Sequence, residues 1–214
     1  MGSTMPGLRR RQETSILRSM DSNLSRDELG EIGLAAVGAH SRIDRRTAFF
    51  NPGRIHLGDH VRIDAFSVLA GGLEDLVVES YVHIGASCYL SSGDGGIRIA
   101  EFCTLAPRVS VHGHSDDYRN GTLTGGVVPV ALTGGTGAPI VLEPHVIVGS
   151  GSVLLPGITI AFGAAVGALT VVRRSVASGS VVVGNPAALI GNRDVSRFDE
   201  FAALARQRLE RDGR

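Results

Sequence analysis

Residues 142–172 read LEPHVIVGSGSVLLPGITIAFGAAVGALTVV, and within them Leu142, Val148, Leu154, Ile160, Val166 and Val172 fall six apart without a break. The same step recurs upstream as Leu57, Ile63, Leu69, then Val78, Ile84, Leu90, then Ile99, Leu105, Val111. The residue after each aliphatic is commonly Gly, Ala, Asp or Glu, as in Leu57-Gly58, Ile84-Gly85, Val148-Gly149 and Val166-Gly167. Four positions after it stands a small or β-branched residue: Val61, Ser67, Val82, Val109, Val146, Ser152, Ala164 or Thr170. No helix has a period of six. Self-similarity at a fixed short period is the mark of a solenoid, here a parallel β-helix in which each hexad is a short strand and a turn.

Three hexads make one triangular coil, with the aliphatic residue pointing into the stack and the small residue sharing the same narrow interior. Coils pair as parallel strands about 4.8 Å apart, so five or six of them give a prism on the order of 25–30 Å long. The steps from Leu57 to Val78 and from Val78 to Ile99 are each three residues longer than an eighteen-residue coil. Insertions at one corner, around Gly71-Gly72 and Gly93-Asp94-Gly95-Gly96, account for the excess, because Gly accepts tight positive-φ bends. A β-sandwich would instead need period-two alternation and regular hairpin turns.

Composition supports this and excludes other classes. The chain has 214 residues, with 21 Lys+Arg balancing 21 Asp+Glu, so it carries no field suited to nucleic acid or to a membrane surface. No apolar run is long enough for membrane insertion and no secretory signal is visible, so a cytoplasmic location is expected. Gly at 29 residues and aromatics at 5% suit tight corners and an interior without large rings. Cys88 and Cys103 each lie four after an aliphatic, in the inward small-residue slot, where a thiol behaves as a small hydrophobe.

Three parts are expected. Residues 1–52 form an N-terminal extension with a short helix, signalled by the capping-box pair Ser25 and Glu28 ahead of Leu29, Ile32 and Leu34. Residues 53–189 are the repeat, interrupted by a loop over 112–139. Residues 190–214 read as an amphipathic helix with Phe198, Phe201, Leu204, Ala205 and Leu209 on one face, placed over the open end of the prism or against a neighbouring subunit.

The loop concentrates titratable groups: His112, His114, Asp116, Asp117, Tyr118 and Arg119. A loop this long inside a solenoid is a functional candidate. A His oriented by a carboxylate is what deprotonation of a hydroxyl or amine requires. A solvated loop whose His and Asp only bond backbone is the alternative.

The repeats, the order Ala106-Pro107, Val109-Ser110-Val111, Gly113-His114, Arg119-Asn120-Gly121, and the ending Gly184-Asn185-Pro186-Ala187 resemble the hexapeptide-repeat acyltransferases. Among these, the resemblance is to the galactoside and maltose O-acetyltransferases and to the O-acetyltransferases of surface polysaccharides. It implies a left-handed parallel β-helix, an all-β solenoid with short terminal helices, that assembles as a homotrimer and uses acetyl-CoA as acyl donor. His114 would be the catalytic base. His83, Tyr89, Asp94, His112, Asp116, Asp117, Tyr118 and Arg119 would surround the acceptor. The donor would meet backbone at Gly149, Ser150, Gly167 and Ala168, the charges of Arg173 and Arg174, the turn at Pro186, and Arg193 as the nearest cation beyond an apolar run. No metal is expected.

Three readings of function compete, two within that resemblance and one that shares only its fold. The first is an acetyl-CoA-dependent O-acetyltransferase acting on a sugar or glycan precursor in polysaccharide biosynthesis. The second keeps the donor and takes an amine on a nucleotide-linked amino sugar. The third is a zinc enzyme like the γ-carbonic anhydrases, for which His112, His114, His83 and His145 are the available ligands.

Overall fold

The computed structural model describes residues 22–211; residues 1–21 of the N-terminal extension and 212–214 of the C-terminal stretch lie outside the described residues. Three parallel sheets form the sides of a solenoid. The first holds Ala36–Val37, Ile55–Leu57, Leu76–Val78, Ile97–Ile99, Ile140–Leu142 and Ile158–Ile160. In the second are Arg42–Ile43, Arg62–Ile63, His83–Ile84, Thr104–Leu105, Ile147–Val148, Ala165–Val166 and Ser180–Val183. The third comprises Ala48–Phe50, Val68–Ala70, Tyr89–Ser91, Ser110–His112, Val153–Leu154 and Val171–Val172. The chain visits them in rotation, giving about six turns of left-handed β-helix.

Register explains why the step of six matters. Ile99 lies opposite Val78 and Leu142, Leu105 opposite Ile84 and Val148, and Val111 opposite Leu90 and Leu154. The aliphatics therefore stack into three inward ladders that are buried throughout. The small-residue set is buried with them, including Cys88 and Cys103. Its polar members are satisfied within the stack: the Ser67 hydroxyl donates to the Gly85 carbonyl at 3.0 Å, and the Ser152 hydroxyl to the Gly167 carbonyl at 2.8 Å.

The solenoid begins before residue 53. Val37, Ile43 and Phe49 keep the same step and build a first coil over 36–50. That coil has a neighbour on one side only, so Val37 and Phe49 remain half-buried. Helix α1 (Arg26–Ile32) covers its open side, inserting Leu29 into the core with Leu24, Ile32 and Leu34 beside it. Its expected capping box is present: the Ser25 hydroxyl accepts from the Glu28 amide at 3.2 Å, and the Glu28 carboxylate from the Ser25 amide at 2.7 Å.

Corners are not the preserve of glycine. Between the first and second sheets, His40, His60, Tyr81, Phe102 and His145 all adopt left-handed backbone, with φ between 55° and 66°. Each such non-Gly residue costs roughly 1–2 kcal/mol. Stacking supplies compensation, because successive ring centroids lie 4.9, 4.8, 4.8 and 5.4 Å apart, close to the coil spacing. Ring pairs at such separations contribute about 0.5–1.5 kcal/mol each.

The C-terminal stretch also departs from expectation. Ala188–Asn192 is a strand running antiparallel to Ser180–Val183, which finishes the second sheet. Helix α2 (Phe198–Arg211) then turns back along the ring column instead of covering the open end. Phe198 packs beside His145 and Phe162, and Arg206 lies over Tyr81 and Phe102 while pairing with Glu101. Among the described residues no helix is long and apolar enough to cross a membrane.

Candidate active site

At the corner between the third and first sheets the chain leaves the solenoid. Strand Ser110–His112 ends at Gly113, whose amide donates to the Ser91 carbonyl at 2.8 Å and whose Cβ, if it had one, would fall 2.0 Å from the Ser92 oxygen. His114–Asp116 then pairs antiparallel with Gly135–Gly137 to form the stem of the protruding loop. Beyond the stem the first sheet resumes in register, with Ile140 opposite Ile97. Asp94 comes from the same corner one coil earlier, so coil stacking brings two residues distant in sequence together.

His114 Nδ1 lies 2.7 Å from Asp94 Oδ1, and His114 Nε2 lies 3.6 Å from Asp116 Oδ1. With Asp94 accepting from Nδ1–H, the Nε2 lone pair is left to take a proton, and Asp116 stands where it favours the imidazolium that results. The His114 side chain is 39% exposed, so a substrate can reach it. His112 sits half-buried against the Tyr89 ring, 5.5 Å between centroids, and burial holds its imidazole below the ordinary value.

The other acceptor candidates separate. Asp117 is occupied by its own turn: its carboxylate accepts from the Arg119 and Asn120 amides at 2.9 and 3.1 Å and from the Asn120 side chain at 2.6 Å. These bonds hold its carboxyl below the usual range, and its role here is to shape the loop instead of facing an acceptor. Tyr118 and Arg119 are exposed at the loop surface. His83 lies on the second sheet, bonded to Asp64 at 2.8 Å, with Arg62 on the other carboxylate oxygen at 2.7 Å. It is not among the groups gathered around His114.

Two clusters hold the donor candidates, and Arg193 belongs to neither. Gly149 and Gly167 stack at the corner between the second and third sheets, where a Cβ on Gly149 would come within 2.4 Å of the Ala168 amide nitrogen; Ser150 lies at this corner too, its carbonyl accepting from Leu169 at 2.9 Å. Arg173, Arg174 and Pro186 line one cleft of about 340 Å³ with Ser175, Ala187 and Leu189. Arg193 lies away from that cleft. Its guanidinium donates to the Gly163 carbonyl at 3.0 Å and lies 4.7 Å over the Phe198 ring, so it fastens helix α2 and is not placed to hold a donor phosphate. Among the described residues no group of three or more His, Cys, Asp or Glu is arranged to hold a metal ion.

Sequence reasoning overlooked Gly135 and Gly137, the return strand over His114 and Asp94, and Asp64, the partner of His83. The run Gly134-Gly135-Thr136-Gly137 is visible in the sequence, but only the stem's register opposes it to His114.

No protein-family model matches the chain. It is 32% identical over 166 residues to the dTDP-4-amino-4,6-dideoxy-D-glucose acyltransferase of Escherichia coli, spanning 78% of this chain and 86% of that protein. Its structure superposes on AntD, an N-acyltransferase from Bacillus cereus solved with dTDP and 3-hydroxybutyryl-CoA, with a TM-score of 0.81, 32% identity and coverage of 91% and 100% of the two chains. A hexapeptide-repeat acetyltransferase from Vibrio cholerae matches at a TM-score of 0.55 and 21% identity over 86% of this chain and 90% of that one, a likeness of fold alone.

Proposed function

Because this chain belongs to the hexapeptide-repeat acyltransferases, we propose that it moves an acyl group from an acyl-CoA to the amino group of a nucleotide-linked sugar. Of the readings drawn from sequence, this amine acceptor is better supported than a sugar hydroxyl. The observation that carries it is the placing of carboxylates near both nitrogens of His114. An alkylamine reaches a neutral site as an ammonium ion and must lose a proton before it can attack. Asp94 and Asp116 supply the negative field that draws such a cation, whereas a neutral hydroxyl gains little from it. The relatives support the same choice, since the enzyme from E. coli is named for a dTDP-linked amino sugar and AntD for N-acyl transfer.

In this reading the ammonium first releases one proton to solvent. His114 Nε2 then takes a second proton as the neutral amine nitrogen bonds to the acyl carbon and the carbon–sulfur bond breaks, and it returns that second proton to the departing thiolate. No covalent enzyme intermediate is needed, and both cysteines are buried in the prism. Arg173 and Arg174 fit the phosphates of CoA, with Pro186 and Leu189 as the apolar wall of their cleft. None of the residues lining that cleft is a loop residue, and in this reading a second copy brings His114 to the donor. A homotrimer of about 67 kDa, three chains of 22.4 kDa, provides this by closed symmetry. Exposed Leu123, Val127 and Leu132 on the loop give it apolar surface to bury against a neighbour.

An acceptor screen tests the assignment. Acetyl-CoA is offered with dTDP-linked amino sugars, the matching hydroxyl-only nucleotide sugars and free amino sugars, and products are read by mass spectrometry. N-acylated nucleotide sugar is expected; turnover confined to hydroxyl-only acceptors would overturn the reading. Light scattering reads the assembly, and a fully active 22 kDa monomer would rule out the shared site.

A further inference from the structure

We infer that Gly135 and Gly137 are positioning residues of this site, kept free of side chains so that bare backbone can roof the His114–Asp94 pair. The inference rests on His114 being the working base. In the stem, His114 lies opposite Gly137, Ser115 opposite Thr136 and Asp116 opposite Gly135. Opposed residues of an antiparallel pair share a face, so His114, Asp116 and the two glycines lie on one side and Ser115 with Thr136 on the other. A Cβ on Gly137 would stand 1.8 Å from Asp94 Oδ1, the oxygen bonded to His114. A Cβ on Gly135 would stand 2.4 Å from both Cε1 and Nε2 of the His114 ring. The two glycines therefore press on the two ends of the relay, the orienting oxygen and the proton-accepting nitrogen.

Backbone conformation does not call for glycine here. Neither residue is among those with positive φ, in contrast to Gly121 and Gly125 of the same loop. Glycine inside a strand also costs conformational entropy and packing. No positive φ bars alanine at either position, although a Cβ on Gly135 would also stand 3.3 Å from the Ser115 carbonyl oxygen. Where the chain takes it without strain, such a change narrows the unfolded ensemble and usually stabilises by about 0.4–1 kcal/mol. What alanine would not fit is Asp94 and the imidazole as they stand. Both side chains are partly exposed and free to swing aside, so the methyl group is accommodated by losing the pair's geometry and not by unfolding the stem.

The test uses Gly137→Ala and Gly135→Ala, with Thr136→Ala as the control on the opposite face of the same strand. Melting temperatures should be unchanged or slightly raised in the two glycine variants and unchanged or slightly lowered in Thr136→Ala. In the glycine variants kcat should fall on the order of 10²-fold, the usual effect of a small misplacement of a catalytic group, with KM for acetyl-CoA unchanged; Thr136→Ala should turn over normally. ¹⁵N spectra of the histidine rings give a readout that needs no acceptor. The wild-type protein should hold His114 with its proton on Nδ1, and Gly137→Ala should show a mixture of tautomers. A fixed tautomer and full turnover in both glycine variants would overturn the inference, as would an equal loss in Thr136→Ala. If no acceptor is turned over at all, the function assigned above fails while the ring spectra still decide the role of the glycines.

Discussion

His114 and Asp94 are twenty residues apart in sequence and 2.7 Å apart in the structure, joined across consecutive turns of one corner. Solenoids achieve this cheaply, since each residue's spatial neighbour is about one coil away along the chain. The carboxylate fixes the ring tautomer, and the tautomer decides which nitrogen can act as base.

That relationship sets the first prediction. His114→Ala should lower kcat by about 10²–10⁴-fold, the usual contribution of a general base, leaving acetyl-CoA affinity unchanged by calorimetry. Asp94→Asn preserves the shape of the pair but lets the ring choose the wrong tautomer, so kcat should again fall with KM for the donor unaffected. Unimpaired turnover in His114→Ala would shift the role to His112.

Donor binding should depend on charge. Arg173 and Arg174 are exposed and line one cleft with Pro186. Replacing both by Ala should raise KM for acetyl-CoA roughly tenfold, within the span of a charge-assisted hydrogen bond or two, while kcat changes little. Wild-type affinity should weaken as salt rises and the double variant should lose most of that dependence. Equal salt sensitivity in the two proteins would place the phosphates elsewhere.

Stability should decline below about pH 6.5, the ordinary imidazole value. His145 and His112 are held below it chiefly by burial; at His145, Asp199 works the other way and Arg206 and Arg193 reinforce the lowering. As pH falls through 6.5 the unfolded chain takes up these protons first, and the extra proton uptake favours unfolding. His145→Phe keeps a ring in the column, at a corner position that Phe102 already occupies one coil earlier. Its melting temperature should match wild type at pH 8 and exceed it at pH 5.5. The opposite ordering at pH 5.5 would show that the buried imidazole is not a source of the loss.

Both thiols should be inert in the native protein. Burial pushes the Cys88 thiol up to about 11 and the Cys103 thiol up to about 12. At pH 8 the thiolate fraction is then about 10⁻³ or less, and thiolate is the reactive form. A maleimide should label neither in native conditions and both after denaturation. Rapid native labelling would show that the coils open readily.

The interior of this fold was legible because one side chain in six repeats a single steric role. Leu142 to Val172 give the ladders directly, and the Ser25–Glu28 pair gives helix α1. What stayed hidden depends on residues meeting across coils. No local rule places His60, Tyr81 and Phe102 in left-handed corners, since stacking outweighs the backbone preference only once the coils are aligned. The same holds at the site. His114 and Asp94 were both candidates, but Gly135 and Gly137 gain meaning only from the stem register, and Arg193 was assigned by sequence distance whereas a Phe198 ring captures it.

The excursion between His112 and Ile140 leaves the ladder beneath it undisturbed, with Ile97 facing Ile140 as though the chain had simply turned the corner. Two coils earlier the same corner is crossed by the short turn after Ala70. The loop that carries His114 thus sits on a scaffold whose register continues past it unchanged. On the function proposed above, acceptor choice falls largely on the loop and donor binding on the later coils, and exchanging the loop should redirect the chemistry to a new acceptor without refolding the prism.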